Sequence, residues 1–168
     1  RSKIEVYAYS FGQAEDDMRK RIISAVDHFK DATDMSDKDV ALLAREDKID
    51  IAIDLMGYTR GSRANIFALR AAPIQIYLFG GTTGASYIDY IIADHTVIPD
   101  RLRKYYQEKI IYLPHSYMPT DNTLEISDTI MTRKDMGLPE NGFVFCCFNS
   151  NNRITPREFD IWMRLLTK

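Results

Sequence analysis

Two stretches of this chain bring together residue types able to hold a phosphorylated or hydroxyl-bearing ligand. The first is Asn149-Ser150-Asn151-Asn152-Arg153, which separates the apolar run FVFCCF (143–148) from ITPREFDIWMRLL. The pattern predicts a buried strand, a polar loop and then a helix, with Thr155 as N-cap, Pro156 at N1 and Glu158 at N3 closing a capping box. A helix amino end exposes unpaired N–H donors and about half a positive charge, so it draws phosphate. Arg153 would add a fixed cation and make a diphosphate cradle, although the same spacing also describes a surface turn with a solvated arginine. The second stretch is Gly57-Tyr58-Thr59-Arg60-Gly61-Ser62-Arg63, between an expected buried strand (Ile51, Ile53, Leu55) and a short helix. Arg60 and Arg63, three apart, could pair with phosphate or an acidic acceptor, and the hydroxyls of Tyr58 and Thr59 suit hydrogen bonds to a sugar or a peptide backbone. A plain exposed turn would read the same way.

Other candidates are weaker. Gly80-Gly81-Thr82-Thr83-Gly84 is not GxGxxG and lacks the acidic residue that follows such a run, so a nicotinamide-dependent oxidoreductase is disfavoured. His28 and His95 read as structural or surface residues. His115, in Leu113-Pro114-His115-Ser116, sits at a strand terminus, where it is either structural or part of a site. No histidine or carboxylate pair has metal-ligand spacing, so no metal is expected. Asp50 and Asp54 share one strand face and read as edge charges.

The elements that must position these residues follow from periodicity. Strands are expected at 4–9, 49–55, 74–79, part of 87–93, 109–114 and 143–148. Helices are expected at 17–29 (stripe Met18, Ile22, Ala25, Val26, Phe29), from Ser36 to about Asp47, near 62–70, and after Thr155 with a buried stripe of Phe159, Trp162, Met163 and Leu166. A helical turn is expected from Leu102 to Tyr106 and a weak helix at 132–136. Alternation of strand and helix predicts an α/β fold: a Rossmann-like, mostly parallel sheet with helices on both faces. Residues 119–141, with Pro119, Asn122, Pro139 and Asn141, form the expected linker between a first part (1–118) and a second (142–168).

Composition bounds the partners. Of 168 residues, 22 are basic and 24 acidic, a net charge of −2 without blocks of either sign, which gives no footprint for nucleic acid. No apolar run is long enough to span a membrane. Cys146 and Cys147 are adjacent in an apolar run and read as core or near-core thiols of a reducing, cytoplasmic compartment. The chain starts at Arg1 rather than Met and its last helix stops abruptly at Lys168, which reads as a segment of a longer protein.

Several runs in fixed order, GYTRGSR, IFALR, APIQ, GASYIDYIIAD and Phe148-Asn149-Ser150-Asn151-Asn152-Arg153-Ile154-Thr155-Pro156, closely resemble the catalytic region of the protein O-GlcNAc transferase family (SPINDLY-like). The resemblance implies a GT-B glycosyltransferase, with residues 1–118 in the later part of the amino-terminal lobe and 142–168 opening the carboxy-terminal, UDP-binding lobe. It implies that the parent moves N-acetylglucosamine from UDP-GlcNAc to Ser or Thr of a protein, with inversion, needing no metal and no cofactor beyond the donor substrate. Tetratricopeptide repeats and an Asp-Phe-Gly-x-His segment would lie upstream, and the isolated segment would be inactive without the remainder of its polypeptide. By the same resemblance Arg153 would hold the diphosphate as the catalytic charge, and Asn149 and Ser150 would line the donor loop. Tyr58, Thr59, Arg60, Arg63 and His115 would line the acceptor cleft. Two departures stand out: Arg153 takes the place of a lysine, and the glycine loop is shorter and lacks a proline. They leave open an alternative, a weakened or inactive relative that only binds UDP or a protein partner.

Overall fold

The computed structural model describes residues 3–12, 15–78, 81–121 and 123–167. It divides into two compact units, one ending at Thr120 and one starting at Asp121.

The first unit holds six four-residue strands, all paired in parallel. β1 (Tyr7–Ser10) pairs with β2 (His28–Asp31), and β3 (Ile51–Asp54), β4 (Ile74–Tyr77), β5 (Tyr90–Ala93) and β6 (Lys109–Tyr112) line up in that order. Parallel neighbours require crossovers, and α1 (Asp17–Ala25) and α3 (Asn65–Ala68) supply two of them, with a 3-10 turn at Asp100–Tyr105 before β6. The α/β, parallel-sheet class matches the reading of the sequence.

α2 (Asp37–Glu46) shows how local chemistry sets a boundary. The Ser36 hydroxyl accepts from the Asp39 N–H at 3.2 Å, and Asp37 and Asp39 lie in the first turn, where the helix dipole favours acids. Its inner face buries Val40, Ala41 and Ala44 with Ile66 of α3, and small alanines let the helix approach closely. A second cluster under β4, β5 and β6 centres on Ile91 and Ile98, both fully buried.

Two expectations fail here, and part of a third lies outside the described residues. The helix expected over 17–29 stops at Ala25, and His28 to Asp31 form β2. The carboxylate of Asp27 accepts from the Val6 N–H at 2.9 Å while Asp27 and His28 donate to the Val6 carbonyl at 3.0 Å, so pairing with β1 overrides the helical stripe. Ile51, Ile53 and Leu55, expected to be buried, are 50%, 48% and 58% exposed. They belong to an edge strand, and among the described residues no helix covers that face, so only part of the sheet is sandwiched. The end of the strand expected at 74–79 falls on Phe79, outside the described residues.

Of the buried polar groups in the first unit, Gln75 lies deepest. Gln75 is fully buried; its carboxamide donates to the Phe67 and Tyr87 carbonyls at 2.9 and 2.7 Å and accepts from the Ala71 N–H at 2.9 Å. It thereby ties α3, β4 and the segment before β5 together. Gln75→Leu keeps the volume and strands three backbone groups, each worth about 1–3 kcal/mol when buried. A urea unfolding midpoint should report a loss of about 3 kcal/mol or more; a change below about 1 kcal/mol would show that the site rehydrates freely.

In the second unit the only described regular elements are a 3-10 turn, Asn151–Arg153, and α4 (Pro156–Leu166). FVFCCF is not a strand: Phe143, Phe145 and Phe148 are 82%, 67% and 97% exposed, and both cysteines are exposed free thiols rather than core residues. A strand needs a ladder partner for its N–H and C=O groups, and none exists among the described residues of this unit. For the same reason the stripe of α4 is uncovered, with Phe159 and Leu166 more than half exposed. Residues 132–136 make a turn closed by the Thr132 hydroxyl and Asp135 instead of a helix. No helix among the described residues is long and apolar enough to cross a membrane.

Candidate functional site

In open parallel sheets, ligands approach the carboxyl ends of the strands, where loops carry side chains and backbone amides free of the ladder. In the first unit that edge is built by a repeated device. Asp54 ends β3, is 8% exposed, and its Oδ1 accepts from the Met56 and Gly57 N–H groups at 2.8 and 2.9 Å. Asp94, directly after β5, does the same for Thr96 and Val97 at 2.8 and 2.9 Å, and its other oxygen accepts from Tyr117 N–H at 2.9 Å. Those N–H groups, Val97 and Tyr117 foremost, hold the Asp94 carboxyl below the usual range although burial opposes them. Both aspartates therefore shape loops. The reading of Asp54 as an edge charge gives way to this turn-forming role.

The turn after β3 starts at Gly57, whose φ of +54° lies in the left-handed region. A Cβ there would sit 2.7 Å from two ring carbons of Tyr77 and against its hydroxyl, so glycine is required twice over. Tyr58 follows, 65% exposed, with its hydroxyl donating to the Thr83 carbonyl at 3.0 Å. The Thr59 hydroxyl turns inward to the Met56 carbonyl at 2.9 Å, closing the turn instead of facing a ligand. Arg60 is exposed, and among the described residues its guanidinium has no partner.

Arg63 behaves in the opposite way. Its Nε donates to Asp37 Oδ1 at 2.6 Å, one terminal nitrogen to the Ala32 carbonyl at 3.1 Å and the other to the Met35 carbonyl at 2.6 Å. The guanidinium also lies 4.7 Å over the ring of Phe11. With every nitrogen engaged inside the fold, Arg63 is a clamp between the turn and the loop leading to α2, not a cleft residue. His115 follows β6, is exposed, and has no partner among the described residues. Of the five cleft candidates, the structure brings Tyr58, Thr59 and Arg60 together on one turn and leaves Tyr58, Arg60 and His115 accessible.

The other histidines are engaged. His28 contacts Glu5 at 2.6 Å and stacks on Tyr7 at 4.2 Å, and His95 stacks on Tyr112 at 4.0 Å with ring planes 7° apart. Of the glycine loop, Gly80 lies outside the described residues; Thr82 and Thr83 are bound to the carboxylate of Glu108. Among the described residues no group of three or more His, Cys, Asp or Glu gathers as metal ligands would.

In the second unit Ser150 N–H donates to the Asn149 Oδ1 at 2.9 Å, and Arg153 N–H to the Ser150 carbonyl at 3.0 Å. Asn149 thus folds the loop on itself, and the guanidinium of Arg153 is left exposed with no partner among the described residues. Thr155 and Pro156 open α4 as expected, but the Thr155 hydroxyl bonds the Glu158 carboxylate and not a backbone N–H. The expected capping box is therefore not made, its two side chains bonding each other, and the first amides of α4 keep no side-chain cap from Thr155. A free cation and uncapped amides close together are what an anionic group needs.

Sequence reasoning missed Asp54, Asp94 and Glu108 as builders of the site edge. The aspartates had a signal, since Asp after a strand and two or three residues before its acceptor's N–H partners is an Asx turn. Glu108 had none, because its partner Thr83 is 25 positions away.

Comparison with known proteins agrees with this architecture. The model of glycosyl transferase family 41 matches residues 1–128. A protein of Arabidopsis thaliana named as the probable UDP-N-acetylglucosamine–peptide N-acetylglucosaminyltransferase SEC is 39% identical across the whole chain, which covers 18% of that protein. A Caenorhabditis elegans protein named as a UDP-N-acetylglucosamine–peptide N-acetylglucosaminyltransferase is 36% identical over 73% of the chain and 11% of its own length. Among solved structures, a variant of the Thermobaculum terrenum O-GlcNAc transferase superposes with a TM-score of 0.80 at 30% identity, over 97% of this chain and 30% of that one. The chain thus spans less than a fifth of the curated relatives it matches. By its sequence and by its fold, it belongs to glycosyl transferase family 41.

Proposed function

We propose that the polypeptide carrying this chain transfers N-acetylglucosamine from UDP-GlcNAc to the hydroxyl of Ser or Thr in a protein, with inversion and without a metal or further cofactor, in the cytoplasm. The observation that carries the proposal is the partnerless guanidinium of Arg153 beside the uncapped start of α4, in a chain of this family. In the reaction the acceptor oxygen forms a bond to the anomeric carbon as the bond to the diphosphate oxygen breaks, its electrons leaving with UDP, and the acceptor proton passes to a base. Negative charge grows on the diphosphate, and Arg153 with the α4 amides would meet it, Asn149 and Ser150 shaping the loop around it. Tyr58, Arg60 and His115 would contact the acceptor. The chain alone, less than a fifth of its relatives' length, should not turn over.

A second reading rests on Arg153 standing where the family resemblance places a lysine. A planar guanidinium does not reproduce a compact ammonium, so a relative that binds UDP without turnover is the rival. Incubating the full polypeptide with radiolabelled UDP-GlcNAc, a Ser/Thr peptide library and EDTA separates them. Labelled peptide with one UDP released per sugar supports transfer. UDP binding without either product supports the rival, and absence of both binding and transfer sinks both.

A further inference from the structure

Glu108 is 4% exposed, and among the described residues no cation pairs with it. Its charge is met chiefly by one loop, with its own backbone N–H adding to it. The Thr82 hydroxyl donates to Oε2 at 2.6 Å, the Thr83 N–H to Oε1 at 2.6 Å, and the Thr83 hydroxyl also to Oε1. The two threonine oxygens in turn accept from the Gly84 and Ala85 N–H groups at 3.1 and 3.2 Å. A buried carboxylate without a cation is costly, and a neutral side chain of the same size would fill the space more cheaply. What the carboxylate provides that an apolar group would not is a fixed orientation for the peptide at Thr83. The carbonyl of that residue is the acceptor for the Tyr58 hydroxyl. The Tyr58 hydroxyl also meets that of Tyr87, and the side chain is otherwise mostly open to solvent, in a turn already fixed at Asp54 and at Arg63.

We propose that Glu108 is a positioning residue: it holds Thr82 and Thr83 so that the Thr83 carbonyl fixes the Tyr58 hydroxyl, setting the exposed phenol ring for contact with the acceptor peptide. The latch itself stands on the hydrogen bonds; its role toward an acceptor rests on the transfer reading. Glu108→Met removes the three acceptor contacts and keeps the bulk, while Glu108→Gln keeps an oxygen for Thr83. In the full polypeptide, Glu108→Met and Tyr58→Phe should each raise the KM for a peptide acceptor about tenfold, leaving kcat and the KM for UDP-GlcNAc within about twofold. The double variant should be no worse than the more affected single variant, since both remove the Thr83–Tyr58 contact, and Glu108→Gln should recover most of the loss of Glu108→Met. Additive effects, or less folded protein with acceptor KM unchanged, would overturn the assignment.

Hydrogen exchange at the Thr83 amide supplies a readout free of catalysis: slow in the parent, and faster in Glu108→Met. If the parent transfers no sugar, the transfer reading falls, and the latch is judged by this exchange rate and the mobility of the Tyr58 ring. Unchanged exchange overturns it. Should Glu108→Met fail to fold, Thr83→Val cuts the same contact from the loop side, and the same shift in acceptor KM or ring mobility is expected.

Discussion

Replacing Arg63 by methionine should destabilise the first unit by about 2–4 kcal/mol and loosen the turn from Gly57 to Arg63. The side chain is 18% exposed and its partner Asp37 27% exposed, so the pair is largely withdrawn from water. Methionine keeps the aliphatic length but leaves the Asp37 carboxylate unpaired and the Ala32 and Met35 carbonyls without their donor. The loss of contact with the Phe11 ring adds to this, a cation–π interaction of about 0.5–2 kcal/mol by burial. Asp37→Asn is the control: it removes the charge while keeping an acceptor oxygen, and should cost less than half as much. Urea midpoints for the two single variants and the double give the coupling directly. A methionine variant as stable as the parent, or a coupling near zero, would return Arg63 to the solvent and to candidacy as a ligand.

Arg63 also illustrates how far the sequence could be read. Its proximity to Arg60 suggested two equivalent cations, yet partners 26 to 31 positions upstream convert one of them into a clamp. Spacing in one segment cannot report long-range partners of that kind. Where the determinants are local, the reading held: Ser36 caps α2, Thr155 and Pro156 open α4, and β3, β4 and β6 all lie within their expected runs. Where an apolar pattern had to be matched with a covering layer, it failed. Ile51, Ile53 and Leu55 carry the pattern of a buried strand, and Phe159, Met163 and Leu166 that of a buried stripe, but alternation records only that a face is apolar. What covers such a face is a property of other segments. Phe29 was lost to β2 for a related reason, since a parallel partner more than twenty positions away decided between helix and strand. The family motifs succeeded because they encode many long-range contacts at once.

On the proposed transfer reading, Arg153→Met in the full polypeptide should lower kcat for sugar transfer about a hundredfold or more while leaving stability within about 0.5 kcal/mol of the parent. The two halves of this expectation have one structural origin. Among the described residues the exposed guanidinium makes no hydrogen bond, ion pair or ring contact, so the second unit loses no polar contact when it is removed. A charge kept in water without a partner is available for an anion that arrives or grows, and in glycosyl transfer the anion grows as UDP departs. An interaction stronger in the transition state than in the ground state appears in kcat, so the KM for UDP-GlcNAc should move by less than about tenfold. Arg153→Lys discriminates further. If the loop is built around a compact ammonium, lysine should match or exceed the parent's kcat; if the planar fork grips two phosphate oxygens, lysine should fall between arginine and methionine. Full turnover in Arg153→Met would mean that the uncapped amides of α4 and groups elsewhere carry the leaving charge. Equal losses in UDP affinity and in kcat/KM would instead make Arg153 a residue for holding the donor, with no special part in its departure.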